Sequence, residues 1–296
     1  DPLDSLRPGG PDARLEGNTM RDRELVTVKW TEAEMAELAE GRLPMGGEFT
    51  AEWSVGDVEA GLAAADLVID ESIYHQSLGH QPLETRSCMA YWENGKVFVY
   101  GSTQSTARTV GAVARWADVE PENVVLVAEF CGGGFGSKAV GSTSMRFPIL
   151  MSKKIGKPVM MRITRREEEF IGRARPAVQA RVKLGFRSDG RLLAMDLFTI
   201  GDGGPYGRSG DHMNVARIAS LAYQPESIRV RGLPVYTNTP PRAAQRAPGG
   251  EQAVSMLAPL MDKAARQLGI DRTEIIRINA PAGQATFGPP GRTGQQ

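Results

Sequence analysis

Val124-Val125-Leu126-Val127-Ala128-Glu129-Phe130-Cys131-Gly132-Gly133-Gly134-Phe135-Gly136-Ser137-Lys138 is the stretch on which the reading of this chain turns. The apolar run 124–130 has the length and β-branched content of a buried strand. Four glycines within positions 132–136 then remove the Cβ atoms that would hold a ligand away, and open φ > 0. A helix-compatible segment follows over 139–154, so main-chain N–H groups and a helix dipole are expected to face something anionic or oxo-rich. Glycine also serves tight strand-to-helix bends, and that purely structural use stays open.

Outward from the loop, a strand at 158–164 completes a strand–helix–strand crossover. Upstream, strands at 88–92 and 96–100 are joined through Asn94-Gly95, a strong hairpin signal. Ala107, Val110, Val113 and Trp116 fall at helical spacing, which predicts an amphipathic helix over 105–117. Residues 56–65 read as a short helix leading into a strand over 67–74. Thr31 and Glu34 form a capping-box pattern after a strand at 24–30, while residues 1–20 lack periodicity and read as an extended arm or linker. Downstream, a long hairpin over 178–200 turns at Ser188-Asp189-Gly190. A helix at 211–221, a strand near 228–230, a Pro-rich turn at 234–241 and a long helix at 251–268 follow. The last carries Val254, Leu257, Met261, Ala264 and Leu268 on one face. The expected fold class is α+β, with mixed sheets and flanking helices. Residues 1–55 form an arm and partial N-terminal α/β element, and 56–296 the main domain.

Composition narrows the function. Lys+Arg and Asp+Glu both total 35, so no net field recommends nucleic acid or an anionic membrane as partner. Two cysteines, Cys88 and Cys131, make no disulfide framework, and three scattered histidines, His75, His80 and His212, make no metal-ligand motif. No run approaches the roughly 18 apolar residues of a membrane span, and Asp1-Pro2-Leu3-Asp4 is no signal peptide. A cytoplasmic protein is expected, and the start reads like the interior of a longer chain.

Two nucleotide mechanisms compete for the loop. Gly134-x-Gly136-x-x-Ala139 after a strand matches a relaxed dinucleotide fingerprint. The ribose-binding acid expected about 20 positions on is absent, since Lys157-Pro158 stand there. A Walker loop needs Gly-Lys-Ser/Thr, and the order Gly136-Ser137-Lys138 fails it.

The run Gly132 to Lys138 resembles the signature of the molybdopterin-binding subunit of the xanthine dehydrogenase and aldehyde oxidase family. Three further segments occur in that family's order: Gln81-Pro82-Leu83-Glu84-Thr85, Ser102-Thr103-Gln104-Ser105 and Gln245-Arg246-Ala247-Pro248-Gly249-Gly250-Glu251-Gln252. The resemblance runs from about residue 56 to about residue 285. It implies the first molybdopterin-binding domain of a molybdenum hydroxylase, with a remnant of the preceding hammerhead domain.

The implied cofactor is a molybdenum–pterin, as molybdopterin or its cytosine dinucleotide, held without a protein ligand to the metal. By the same resemblance Gln104, Gly133, Gly134, Phe135, Gly136 and Arg246 bind it. The Gln104 amide would bond an oxo ligand, a main-chain amide near Phe135 would donate to the cofactor, and Arg246 would stand beside the metal centre. Taken singly these residues are better read as a surface Gln, a core Phe and a salt-bridged Arg; together and in order they favour the cofactor reading. Glu84 either shapes the substrate pocket or is a solvated charge at a strand end. Purine-oxidising members carry a glutamate after the motif lysine, a substrate arginine and a ring-stacking phenylalanine, where this sequence has Ala139, Asn214 and Pro248. An aldehyde or another N-heterocycle is therefore the implied substrate.

The family's catalytic glutamate, in a Gly-x-Gly-Glu motif near the C-terminal end of a longer chain, has no counterpart after Arg246. Gly249-Gly250-Glu251 belongs to the arginine motif, and Gly46-Gly47-Glu48 comes too early. It is expected on a second molybdopterin-binding chain. Clusters of the [2Fe–2S] type need four cysteinyl ligands or a close variant, so iron–sulfur and FAD-bearing subunits are implied partners. Two alternatives remain: a non-catalytic scaffold or assembly module, and an NAD(P)-binding oxidoreductase.

Overall fold

A computed structural model describes residues 1–14, 16–21, 24–46, 51–206, 210–283, 285 and 288–290. Gly47 and Glu48, weighed above as a glutamate motif, lie outside them. The chain folds as two compact units. The first comprises Asp1–Ser77, Pro176–Arg242 and Ala247–Gln296, and the second Leu78–Arg175 and Ala243–Arg246.

The first unit is built on a five-stranded mixed sheet, in the order Ala51–Val55, Ser227–Tyr236, Leu192–Gly204, Val178–Phe186, Leu67–His75. The predicted long hairpin forms, with Gly190 at φ +87 in its turn. Leu192–Gly204 and Ser227–Tyr236 run parallel, joined through helix Asp211–Ala222. The period of two sends Leu197 and Val230 into one core, and Phe198, Ile200, Leu233 and Val235 into another. Against the first pack Val215, Ala216 and Ala219, with Met256, Leu257, Met261 and Ala264 of helix Gly250–Leu268. Ile275 joins them from helix Arg272–Asn279, which the sequence reading missed. Its signal was Asp271, whose carboxylate accepts from the N–H groups of Thr273 and Glu274.

The second core explains why Pro2–Leu6 and Asn18, within the expected arm, are ordered. Asp1 caps a single helical turn, Pro2–Leu6, and Leu6 is fully buried with Val28 and Trp30. The buried Asn18 side chain bonds the carbonyls of Ser5 and Val28 and the N–H of Val28. One turn is too short to show a period, so tertiary burial decides it. The strand expected at 24–30 pairs only over Glu24–Val26, with Thr19–Arg21. The Thr31–Glu34 capping box forms as read.

The second unit holds a four-stranded sheet, in the order Val124–Val127, Lys96–Gly101, Ser87–Glu93, Val159–Arg162. Asn94 (φ +50) and Gly95 (φ +76) make the predicted hairpin turn, both in the left-handed region that a tight two-residue loop requires. Helix Thr106–Ala117, capped by Ser105, links Lys96–Gly101 to its parallel neighbour Val124–Val127. Helix Thr143–Ile155 then carries the chain to the opposite sheet edge. Cys88, Ala90, Val97, Val99, Val113, Ala117, Met145 and Ile149 fill the core between sheet and helices. Among the described residues no helix is long and apolar enough to cross a membrane.

One expectation fails here. The helix starts at Thr143, after an extended Ser142, and not at 139. Gly136 at φ +108 turns the chain first, so the glycine loop is not the first turn of a helix.

Candidate functional site

The second unit brings together Glu84, Gln104, Gly133, Gly134, Phe135, Gly136, Ala139 and Arg246. Asn214 and Pro248 belong to the first unit. There Asn214 lies on helix Asp211–Ala222 against Gly249, which has φ +74, and Pro248 is exposed.

Protein atoms occupy the space that the glycines leave. A Cβ at Gly132 would lie 2.4 Å from Cβ of Glu84, at Gly134 2.3 Å from Oε1 of Gln104, and at Gly136 2.2 Å from the Ala244 carbonyl oxygen. At Gly133, with φ +93, it would meet the Phe135 ring at 3.2 Å. The glycines therefore admit this chain's own side chains and backbone first, which corrects the reading that they admit a ligand directly. With those spaces filled and the helix displaced to Thr143, the loop lacks the helix N-terminus of a dinucleotide site.

Gln104 organises the loop from its exposed position. Its Oε1 accepts from the N–H of Gly136 at 2.9 Å and of Lys138 at 3.1 Å. Its own N–H and the Thr103 hydroxyl donate to the Lys138 carbonyl at 2.9 and 3.0 Å. With the oxygen committed, the side-chain NH2 makes no hydrogen bond among the described residues and is available as a donor.

Glu84 is tied to the same loop. Its Oε2 accepts from Gly132 N–H at 2.8 Å and from Nζ of the buried Lys138 at 2.7 Å, and Lys138 also donates to the Glu84 carbonyl at 2.9 Å. Burial pushes the Glu84 carboxyl up, but Lys138, Gly132 N–H and Ser102 together hold it below the usual range. Neither earlier reading of Glu84 foresaw this: it staples the loop. The sequence reading also missed Arg86 and Glu168. This buried pair fastens the next turn, with Arg86 Nη2 donating to the Ser137 carbonyl at 3.1 Å.

Phe135 adopts φ +54 and is 43% exposed, so it is not a core residue. Its carbonyl accepts from the Arg246 N–H at 2.9 Å. The buried Arg175 donates to the Arg246 carbonyl at 2.6 Å and to Gln245 Oε1 at 3.1 Å. Main chain is thereby fixed while the Arg246 guanidinium stays exposed, without an ion pair among the described residues. The N–H groups of Gly133, Gly134 and Phe135 likewise bond no described residue, whereas that of Gly136 is spent on Gln104. Ala139 is half-buried behind the loop.

Among the described residues the site therefore combines oriented neutral donors with the unpaired Arg246 cation, suited to an oxo-rich anionic group, while its Glu84 carboxylate is committed to Gly132 and Lys138. The sequence profile of the molybdopterin cofactor-binding domain matches residues 44–280, and the chain belongs to that family. It is 30% identical over 237 residues to "Probable hypoxanthine oxidase XdhD" of Escherichia coli O157:H7, covering 76% of this chain and 24% of that protein. It is also 30% identical over 228 residues to the nicotinate dehydrogenase large molybdopterin subunit of Eubacterium barkeri, covering 76% of this chain and 53% of that one. The aldehyde oxidoreductase structure from Desulfovibrio gigas superposes with a TM-score of 0.73 at 28% identity, over 82% of this chain and 28% of that one. The chain thus spans from about a quarter to about half the length of these relatives.

Proposed function

We propose that this chain forms one wall of the molybdenum–pterin site of a multi-subunit molybdenum hydroxylase. The enzyme would oxidise an aldehyde or N-heterocycle at an electron-poor carbon with oxygen from water. The observation that carries the reading is the commitment of Gln104 Oε1 to two loop amides, which turns the side chain into an oriented donor. When bound, the cofactor supplies the redox chemistry.

This chain's residues hold and orient. Gln104 Nε2 and the free N–H groups of Gly133, Gly134 and Phe135 would face the cofactor's oxygens, with Gly136 keeping Gln104 in place. Donors fixed before the ligand arrives need no reorganisation when charge develops on it. Arg246 adds positive charge on a backbone already fixed by Phe135 and Arg175. By the family resemblance, Ala139, Asn214 and Pro248 stand where purine-oxidising members carry a glutamate, an arginine and a phenylalanine, which favours the aldehyde or other heterocycle. The catalytic glutamate has no Gly-x-Gly-Glu counterpart after Arg246. A second molybdopterin-binding chain would supply it, with iron–sulfur and flavin subunits taking the electrons.

Molybdenum analysis and pterin fluorescence on the native complex test the reading. Both groups are expected, and their absence overturns it. Gln104→Ala should lower turnover about a hundredfold, as loss of one preorganised donor does, and should also lower the melting temperature, since the Gly136 and Lys138 amides lose their acceptor. Wild-type turnover in that variant removes Gln104 from the site.

A further inference from the structure

His80 lies in the second unit, 5% exposed, with both ring nitrogens against carbonyl oxygens. Nδ1 is 2.7 Å from the oxygen of Arg173, and Nε2 is 2.9 Å from that of Ala244. A carbonyl only accepts, and neutral imidazole has a single N–H. Both contacts are hydrogen bonds only when the ring is doubly protonated; in the neutral form one ring lone pair faces an oxygen.

What His80 grips matters more than the grip. The Ala244 oxygen is the atom on which a side chain at Gly136 would collide, at 2.2 Å. Two residues on, Arg246 donates its N–H to Phe135. The segment is also tied by Ala243 N–H to the Ala174 carbonyl, and by Gln245 Nε2 to the Gly79 carbonyl at 3.2 Å. Two charged groups act on the ring. Arg86 is paired with Glu168, and Arg175 is spent on Gln245 and Arg246. Burial first, and then these two guanidiniums, hold the imidazole below its usual pKa against the pull of both carbonyls. A singly protonated ring must choose between Arg173 and Ala244. With the ring buried whether the clasp is open or closed, only the two carbonyl contacts raise its proton affinity, so a second proton favours the closed pair, although burial still makes that proton costly to the folded chain as a whole.

We propose that His80 is a positioning residue for Arg246: a second ring proton closes the clasp between Arg173 and Ala244 and fixes the Arg246 turn on the glycine loop. Its consequence for the cofactor rests on the function proposed above, whereas the clasp itself concerns this chain's own backbone.

The test follows ring nitrogen shifts in the histidine-labelled chain together with hydrogen exchange of the Arg246 amide, from above the ordinary histidine pKa of 6.5 to well below it. The sequence has only three histidines, and the His80 signals are those lost in His80→Gln. As pH falls, His80 should pass from one ring N–H to two. Arg246 protection, corrected for intrinsic exchange, should rise about tenfold in step, the effect of about one added hydrogen bond. His80→Phe keeps a ring without donors and should abolish that rise. If it does not fold, His80→Gln, with a single fixed donor group, should still show pH-independent protection. Flat protection while wild-type His80 titrates, failure of His80 to take the second proton, or an unchanged rise in the variants overturns the clasp. A native complex lacking molybdenum and pterin at every pH overturns the function proposed above and leaves the clasp standing.

Discussion

Gly134 and Gln104 are made for each other: a methyl group on the glycine would lie 2.3 Å from the glutamine's Oε1 and 2.7 Å from its Cγ. That oxygen is the acceptor for two further loop amides, so the glycine, the glutamine and the turn form one packing unit. The relation converts a composition feature, the glycine run, into a geometric one.

Gly134→Ala should therefore destabilise the chain through Gln104 and not through backbone strain, since Gly134 has no positive φ. A cost of about 1–3 kcal/mol is expected for such overpacking. Gln104→Ala in the same chain should recover part of it, because the colliding atoms are gone. Urea unfolding of the two single variants and the double variant measures the coupling; strict additivity would show that the two residues do not interact.

Glu84→Gln should flatten the acid limb of stability. The Glu84 carboxyl sits below its ordinary value of 4.5 in the folded chain, so its contribution is fully present above that value and is lost as pH falls through the folded pKa. With the side chain 39% exposed, solvent screening limits the effect to about 1 kcal/mol. Unfolding free energies of wild type and variant should differ most near neutrality and converge in acid. A gap that widens on acidification contradicts the assignment.

Removing one partner of the buried Arg86–Glu168 pair leaves an uncompensated charge, since both residues are nearly inaccessible. Glu168→Ala should cost about 3–5 kcal/mol, and an apolar replacement of both residues considerably less. Chemical denaturation compares them. A mild effect of Glu168→Ala would mean that Ser137 and its turn are held by other contacts.

Cysteine chemistry should separate the two thiols cleanly. Burial pushes Cys88 up to about 12, whereas Cys131 is exposed at the head of the glycine loop. Iodoacetamide on the native chain should modify Cys131 alone, with Cys88 reacting only after denaturation, as read by peptide mass spectrometry. Early modification of Cys88 would require the sheet core to open.

Much of the scaffold was legible in local sequence. Asn94-Gly95, the Thr31–Glu34 box and the Ser188-Asp189-Gly190 turn of the hairpin over 178–200 each specify their element from a few adjacent residues, and each forms. Single helical turns were not legible: Pro2–Leu6 owes its order to the burial of Leu6. The start of the helix after the loop shifted to Thr143 because a left-handed Gly136 and an extended Ser142 delay it, against a helix-compatible composition.

For the site, the four ordered segments around Glu84, Gln104, Gly132–Lys138 and Arg246 were determined by sequence alone. Motif spacing is a property of the chain, and it sufficed to identify the family. Only the tertiary structure decided what each residue does for its neighbours. It made Glu84 and Lys138 a staple, filled the glycine spaces with protein atoms and set His80 between two carbonyls. Those relations join residues up to 164 positions apart. Hydrogen-bond direction and collision distance depend on that folded proximity, which no local pattern encodes.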